Sequence, residues 1–273
     1  MVDKLVTADW VQEHLNDGSI RLVEVDVDTE AYREGHIEGA VAWNWTTQLQ
    51  DGVTRDILTK ADFEQLMANS GITPDTHVVL YGDNNNWFAA YALWLMELYG
   101  HQNVSLMNGG RVKWLSDNRP TTTAEASPAQ TSYTAKDPDP SIRAKRDDVL
   151  NAIGSAVNLV DVRSPAEFTG EVIAPPGMTE TAQRGGHVPG AKNIPWARAV
   201  NEDGTFKSVD ELKSLYEGAG VQPNGDTIAY CRIGERSSHT WFVLKHILGY
   251  DNVKNYDGSW TEYGSMVGVP IEK

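Results

Sequence analysis

Short runs of apolar, mostly β-branched residues alternate along this chain with longer stretches whose apolar positions fall at helical spacing. Residues 22–27, 78–81, 104–107, 159–162 and 227–230 are of the first kind and predict strands. Residues 60–70, 87–98, 208–217 and 238–248 are of the second and predict helices. In the last of these, Trp241, Leu244, Ile247 and Leu248 fall at i, i+3, i+6 and i+7 on one helical face, and Gly249 follows as a stop. Strand alternating with helix predicts an α/β protein whose parallel sheets carry helices on both faces.

The chain also repeats itself. Gly35-His36-Ile37-Glu38-Gly39-Ala40 returns as Gly186-His187-Val188-Pro189-Gly190-Ala191, an offset of 151. Tyr81 to Val104 and Tyr230 to Val253 both span 23 positions and match at an offset of 149, and Gly109 and Trp114 continue that match to Gly258 and Tyr263. Two homologous domains follow, over residues 1–120 and 143–273. The segment between them is rich in Thr, Ser, Ala and Pro without apolar periodicity, which predicts a linker over 121–142. Asp26 lies 10 positions before His36, but Asp161 lies 26 before His187, so about sixteen extra residues fall within 165–186. Long irregular insertions beside a repeated core are often functional.

Composition narrows the classes. A length of 273 residues agrees with two domains, and 40% apolar with 9% aromatic residues supports true cores. A net charge of −15 argues against general binding to nucleic acid or anionic membranes. One cysteine, Cys231, permits no internal disulfide and no zinc or iron–sulfur cluster of cysteines. The seven His show no metal-binding spacing, so no metal is expected. With no basic-then-apolar leader, and a longest apolar run (87–96) of half a ~20-residue membrane span, a cytoplasmic location is expected.

Cys231 ends the predicted strand 227–230, and a helix is predicted from about Ser237. Cys231-Arg232-Ile233-Gly234-Glu235-Arg236 is therefore a strand-to-helix loop, where open α/β sheets place their sites. Such a loop points backbone N–H groups inward and cradles an anion. A free thiol has a pKa of ~8.5, which a helix N-terminus and cations lower. One guanidinium at ~4 Å contributes on the order of 4 kcal/mol at an effective dielectric of 20, enough for a shift of about three units. Arg232 and Arg236 bracket the loop; Glu235 opposes them unless it points to solvent. The competing reading is a small buried hydrophobe; the Cys-x-x-Gly-x-Arg loop before a helix favours a nucleophile.

The tandem copies, Gly-His-Val-Pro-Gly-Ala, the Cys-Arg-Ile-Gly-Glu-Arg-Ser loop and Tyr256-Asp257-Gly258-Ser259-Trp260 together resemble the rhodanese family, and more narrowly its two-domain thiosulfate sulfurtransferases, over almost the whole chain. The resemblance implies two rhodanese domains, with the site in the C-terminal copy lying against the N-terminal one. It implies a sulfurtransferase without metal or organic cofactor, moving the sulfane sulfur of thiosulfate to cyanide or a thiol. Cys231 would carry the sulfur as a persulfide, and the backbone of Arg232, Ile233, Gly234, Glu235, Arg236 and Ser237 would cradle it. Gly82 stands in the cysteine register of the first copy, which is therefore expected to be an inactive scaffold.

Rival chemistries separate on loop length and charge. A Cys-x5-Arg phosphatase loop needs arginine at 237, where this chain has Ser237; Cys-x4-Arg is a tighter ring suited to sulfur. Mercaptopyruvate sulfurtransferases resemble one another in a small uncharged loop, so Arg232 and Arg236 favour a dianionic donor. 3-Mercaptopyruvate as donor, and a non-enzymatic sulfur relay, remain the alternatives. Arg184, in the extra loop, resembles the family's sulfonate contact; a solvated arginine is its competing reading. Asp26, Asp161, His36 and His187 recur in both copies although only one has the cysteine, which assigns them to the fold. His239 and Trp43, Trp45, Trp87 and Trp196 are read as packing residues.

Overall fold

The computed structural model describes residues 2–177 and 181–273, and the chain divides into two units, 1–139 with 201–206 and 140–200 with 207–273. The first unit has strands β1 (Leu5–Val6), β2 (Ile20–Asp26), β3 (Val41–Asn44), β4 (His77–Tyr81) and β5 (Val104–Met107), all parallel in the order β1-β5-β4-β2-β3. The second has β6 (Arg143–Ala144), β7 (Asn158–Asp161), β8 (Lys192–Asn193), β9 (Thr227–Tyr230) and β10 (Val253–Tyr256), parallel in the same permutation, β6-β10-β9-β7-β8. The central strands β4 and β9 are buried almost throughout, because a parallel strand covered on both faces must be apolar on both. Strands β1, β3, β6, β8 and β10 have no counterpart among the predicted runs; β1, β6 and β8 are only two residues long, and β10, Val-Lys-Asn-Tyr, is half polar.

The predicted helices stand with small shifts at their ends. Trp87–Leu98 is buried from Phe88 to Leu98, as an all-round apolar helix in a core must be. Lys60–Asn69 and Val209–Gly218 start where Thr59 and Ser208 accept from the backbone N–H of Asp62 and Glu211. The last predicted helix is two elements. Gly234, at φ +104°, starts Glu235–Phe242 earlier than the pattern suggested, and Val243–Ile247 is a π-turn, with Leu248 N–H donating to Val243 O at 2.9 Å.

The recurring histidines have matching partners. His36 stacks on Tyr32 (3.6 Å between ring centres) and His187 on Phe168 (3.5 Å). Each has Nδ1 on the carbonyl oxygen of the residue it stacks on, at 2.8 Å. The following N–H groups, of Ile37 and Val188, donate to Tyr81 and Tyr230 hydroxyls at the ends of the two central strands.

Most of the segment expected as a linker groups with the first unit. Its backbone has few apolar side chains but many donors and acceptors, and it satisfies them on that unit's surface: His36 and Thr122 exchange two bonds of 2.8 Å, Lys136 N–H donates to Tyr99 O, and Asp139 N–H to Leu98 O. Tyr133 inserts beside Phe63. Residues 201–206, inside the expected 143–273 domain, also group with the first unit, where Phe206 N–H donates to Asn108 Oδ1 at 2.9 Å. Of the extra stretch 165–186, Pro165–Thr169 is helical, and residues 178–180 lie outside the described residues.

Candidate active site

The last residues of three neighbouring strands, Asp161, Tyr230 and Tyr256, lie level across the second sheet, and Cys231 emerges immediately beyond the middle one. Its backbone is fixed at both polar groups. Cys231 N–H donates to Ser259 Oγ at 3.0 Å, and Cys231 O accepts from Trp260 N–H at 3.0 Å. Arg232 O accepts from Thr261 N–H, so the short helix Ser259–Tyr263 holds the start of the loop. Gly234 closes it: a Cβ there would sit 2.9 Å from Asp257 Cα and 3.0 Å from Asp257 O, and its φ is one that glycine adopts freely. Its N–H donates to Cys231 Sγ at 3.1 Å. Ser238 Oγ donates to Gly234 O and Ser237 Oγ to Asn255 Oδ1, tying the turn to β10.

The charges are arranged differently from the expectation. Arg236 forms a two-pronged pair with Glu167, both contacts 3.0 Å, and its Nε lies 3.5 Å from Glu235 Oε1. Arg232 Nη2 lies 4.0 Å from the same oxygen. Both guanidinium groups are buried and face carboxylates, so they do not simply present two open cations to an anion. Burial works against ionisation of Glu167, but Arg236 and the Ser164 cap outweigh it and hold its carboxyl below the usual value. Glu235 is 1% exposed and does not point to solvent; its Oε2 accepts from Cys231 Sγ at 3.2 Å.

This corrects the expected electrostatics of the sulfur. Burial pushes the Cys231 thiol above its ordinary value, Glu235 pushes it further, and Arg236 and the Ser237 hydroxyl and N–H oppose them without prevailing. Desolvating a thiolate beside a carboxylate costs more than one already paired guanidinium returns. Arg184 bonds elsewhere: its Nε donates to Gly264 O at 3.0 Å and its carbonyl accepts from the Trp260 indole at 2.9 Å. Its Nη2 is buried without a hydrogen-bond partner among the described residues. His239, beside Trp196, is kept neutral by burial, its pKa lowered to about 3.

Three contributors escaped the sequence reading. Glu167 could have been found from Ser164-Pro165-Ala166-Glu167, a capping box that the structure forms. Arg163 pairs with Asp161 through Nε (3.0 Å) and Nη2 (2.5 Å), donates to Gly186 O (2.8 Å) and stacks over Trp260 at 4.6 Å; Asp161 stands level with Tyr230 as Glu24 does with Tyr81, so its counterpart is Glu24 and not, as expected, Asp26. In the first unit Arg111 takes the matching place from another element, binding Glu24 at 2.9 Å and the carbonyl of Gly35. The third, Ser259, stood in a noted motif without an assigned role.

In the first unit the Gly82 position is closed. A Cβ there would overlap Val25 O and stand 2.9 Å from Asp26 Oδ1. Asn86 occupies the place of Glu235, accepting from Gly82 N–H and donating to Met107 O.

The family model for the rhodanese-like domain matches residues 7–117 and again 145–266. The chain belongs to the rhodanese family. This rhodanese is 60% identical over 276 residues to the "Putative thiosulfate sulfurtransferase" of Haloferax volcanii, covering 99% of this chain and 96% of that one. It is 55% identical over 274 residues to the "Sulfur carrier protein TtuD" of Thermus thermophilus, covering 98% and 96%. Among solved structures it is similar to SseA of Escherichia coli, described among the 3-mercaptopyruvate sulfotransferases, with a TM-score of 0.81, 28% identity, and coverage of 95% of this chain and 99% of that one. Among the described residues of this rhodanese, no helix is long and apolar enough to cross a membrane.

Proposed function

We propose that the protein is a sulfurtransferase that takes the sulfane sulfur of thiosulfate on Cys231 and passes it to cyanide or a cellular thiol. The observation that carries the reading is the Cys231 sulfur itself, held at the carboxyl edge of a parallel sheet with the Gly234 N–H 3.1 Å away. The likeness to relatives named as thiosulfate sulfurtransferases favours that donor over 3-mercaptopyruvate.

In the first half-reaction the Cys231 sulfur attacks the outer sulfur of thiosulfate. A new S–S bond forms, the donor's S–S bond breaks, and its electron pair leaves on sulfite. Arg232 and Arg236 are the cations of the loop, each facing a carboxylate of Glu235 or Glu167, so the donor's charge is met chiefly by the loop's backbone N–H groups. The backbone donors of residues 232–237 hold the terminal sulfur. In the second half-reaction the acceptor bonds to that sulfur and the electron pair returns to Cys231. Arg184, beside the Ser259–Tyr263 helix, is assigned to the donor's sulfonate end through its Nη2, which has no hydrogen-bond partner among the described residues.

Mass spectrometry after thiosulfate should show about +32 on Cys231, reversed by cyanide with release of thiocyanate, and kinetics should be ping-pong. Cys231→Ser should abolish both signals; thiocyanate formed without a covalent species would overturn the reading. The likeness to a protein named as a sulfur carrier favours a second reading, relay to another protein. Persulfide formation with no useful turnover on cyanide or small thiols would select it.

A further inference from the structure

The carboxyl of Glu235 divides its two oxygens between two tasks. Oε1 faces Arg236 Nε at 3.5 Å and Arg232 Nη2 at 4.0 Å, whereas Oε2 accepts from Cys231 Sγ at 3.2 Å. Both Cys231 and Glu235 are buried. In such a place a thiolate and a carboxylate cannot both stand ionised without a large like-charge cost, so one proton is shared across the 3.2 Å contact. The other acids facing the loop are engaged. Glu167 is bound by Arg236, Ser164 N–H and Ser164 Oγ. Asp257, across from Gly234, is paired with Arg143 at 2.8 Å through both oxygens, and Asp161 is paired with Arg163. His239, on the Glu235 helix, is neutral and packed beside Trp196.

We propose that Glu235 is the general base of the sulfur-transfer cycle, taking the Cys231 proton on Oε2 as the sulfur attacks and returning it when the sulfur leaves. This rests on the persulfide reading given above. The first half-reaction is then Cys231–SH plus Glu235 carboxylate plus thiosulfate dianion, giving Cys231–S–S⁻, Glu235 carboxylic acid and sulfite dianion. In the second half-reaction the acceptor takes the terminal sulfur, the electron pair returns to Cys231 Sγ, and the Glu235 proton moves back to it. The two arginines stabilise the carboxylate while the thiol is protonated, and stabilise the persulfide anion once the carboxylate is neutral. A sulfur with a raised thiol pKa can thus react at neutral pH without first losing its proton to water.

The test is the rate of persulfide formation from thiosulfate in a single turnover, followed by the +32 mass on Cys231 from pH 5 to 10 in the wild type, Glu235→Gln and Glu235→Asp. Glu235→Gln should lose about 10²-fold at pH 6, within the usual range for a general base, and the deficit should narrow steadily as pH rises toward 10 and the thiol begins to ionise unaided. Glu235→Asp should keep the wild-type shape at a reduced rate. A loss in Glu235→Gln that is equal at every pH, or no loss at all, would overturn the proposal while leaving the persulfide intact. No +32 in the wild type would instead remove the persulfide reading, and this one with it.

Discussion

Ser259 and Gly110 stand at equivalent positions of the two units and share a left-handed backbone, with φ of +51° and +53°. A serine accepts the strain that a glycine avoids, and the reason is its hydroxyl. Ser259 Oγ accepts from Cys231 N–H and donates to Tyr256 O at 2.7 Å.

The strained serine gives an inverted substitution order. Ser259→Ala keeps the unfavourable φ, worth about 1–2 kcal/mol, and leaves the buried Cys231 N–H unpaired at a further cost of about 1–3 kcal/mol. Ser259→Gly loses the same bond but relieves the backbone. Urea unfolding should find the alanine variant less stable than the glycine variant by about 1–2 kcal/mol, opposite to the usual preference for alanine. Equal stabilities would mean that the strain is not felt.

Restoring a cysteine to the first unit should not restore chemistry. In Gly82→Cys the new Cβ must displace the Val25 carbonyl and Asp26. Combined with Cys231→Ser, the variant should gain no +32 mass from thiosulfate. It should also lose about 2 kcal/mol or more of stability by overpacking. A sulfur adduct on residue 82 would refute this.

Glu167 neutralises Arg236, which is 5% exposed. Glu167→Ala leaves that guanidinium buried and should destabilise by about 3–5 kcal/mol. Because the Glu167 carboxyl is held below its ordinary value, its contribution is present above the unfolded carboxylate pKa and is lost as pH falls through the folded one. Stability curves of the wild type and Glu167→Gln should therefore converge toward acid pH. Curves that stay parallel from pH 7 to pH 3 would count against the pairing.

Asp26 has the opposite sign. Burial, Asp83 and Glu24 raise its pKa to about 10. Its contribution is full below the unfolded value near 3.8 and declines as pH rises toward 10, so it weighs against folding at neutral pH. Asp26→Asn, which can still accept from Asp83 N–H, should raise Tm by about 2–4 °C at pH 7, corresponding to about 1 kcal/mol. The gain should shrink at pH 4. A lower Tm at pH 7 would contradict the assignment.

Much of this was legible because it depends on local pattern. The central strands 78–81 and 227–230 have to be apolar on both faces, and the 149-residue offset aligns Gly82 with Cys231 directly. What the sequence hid depends on where side chains converge in space. Glu235 sits four residues after the cysteine, so its distance from the sulfur turns on how Gly234 bends the chain. Arg236 looked like an open cation because its partner, Glu167, is 69 positions away. The segment 121–139 lacks apolar periodicity because backbone hydrogen bonds, with few inserted side chains, fasten it to its unit.

Arg111 and Arg163 reach the carbonyls of Gly35 and Gly186, which are counterparts, from elements that are not. The cation thus comes from a different element in each half, while the carbonyl that needs it is the same. The two halves are no longer interchangeable parts. Transplanting the segment that carries Arg111 into the second half would crowd two guanidinium groups onto one carbonyl, and the reciprocal graft would leave the buried Glu24 carboxylate with no counterion.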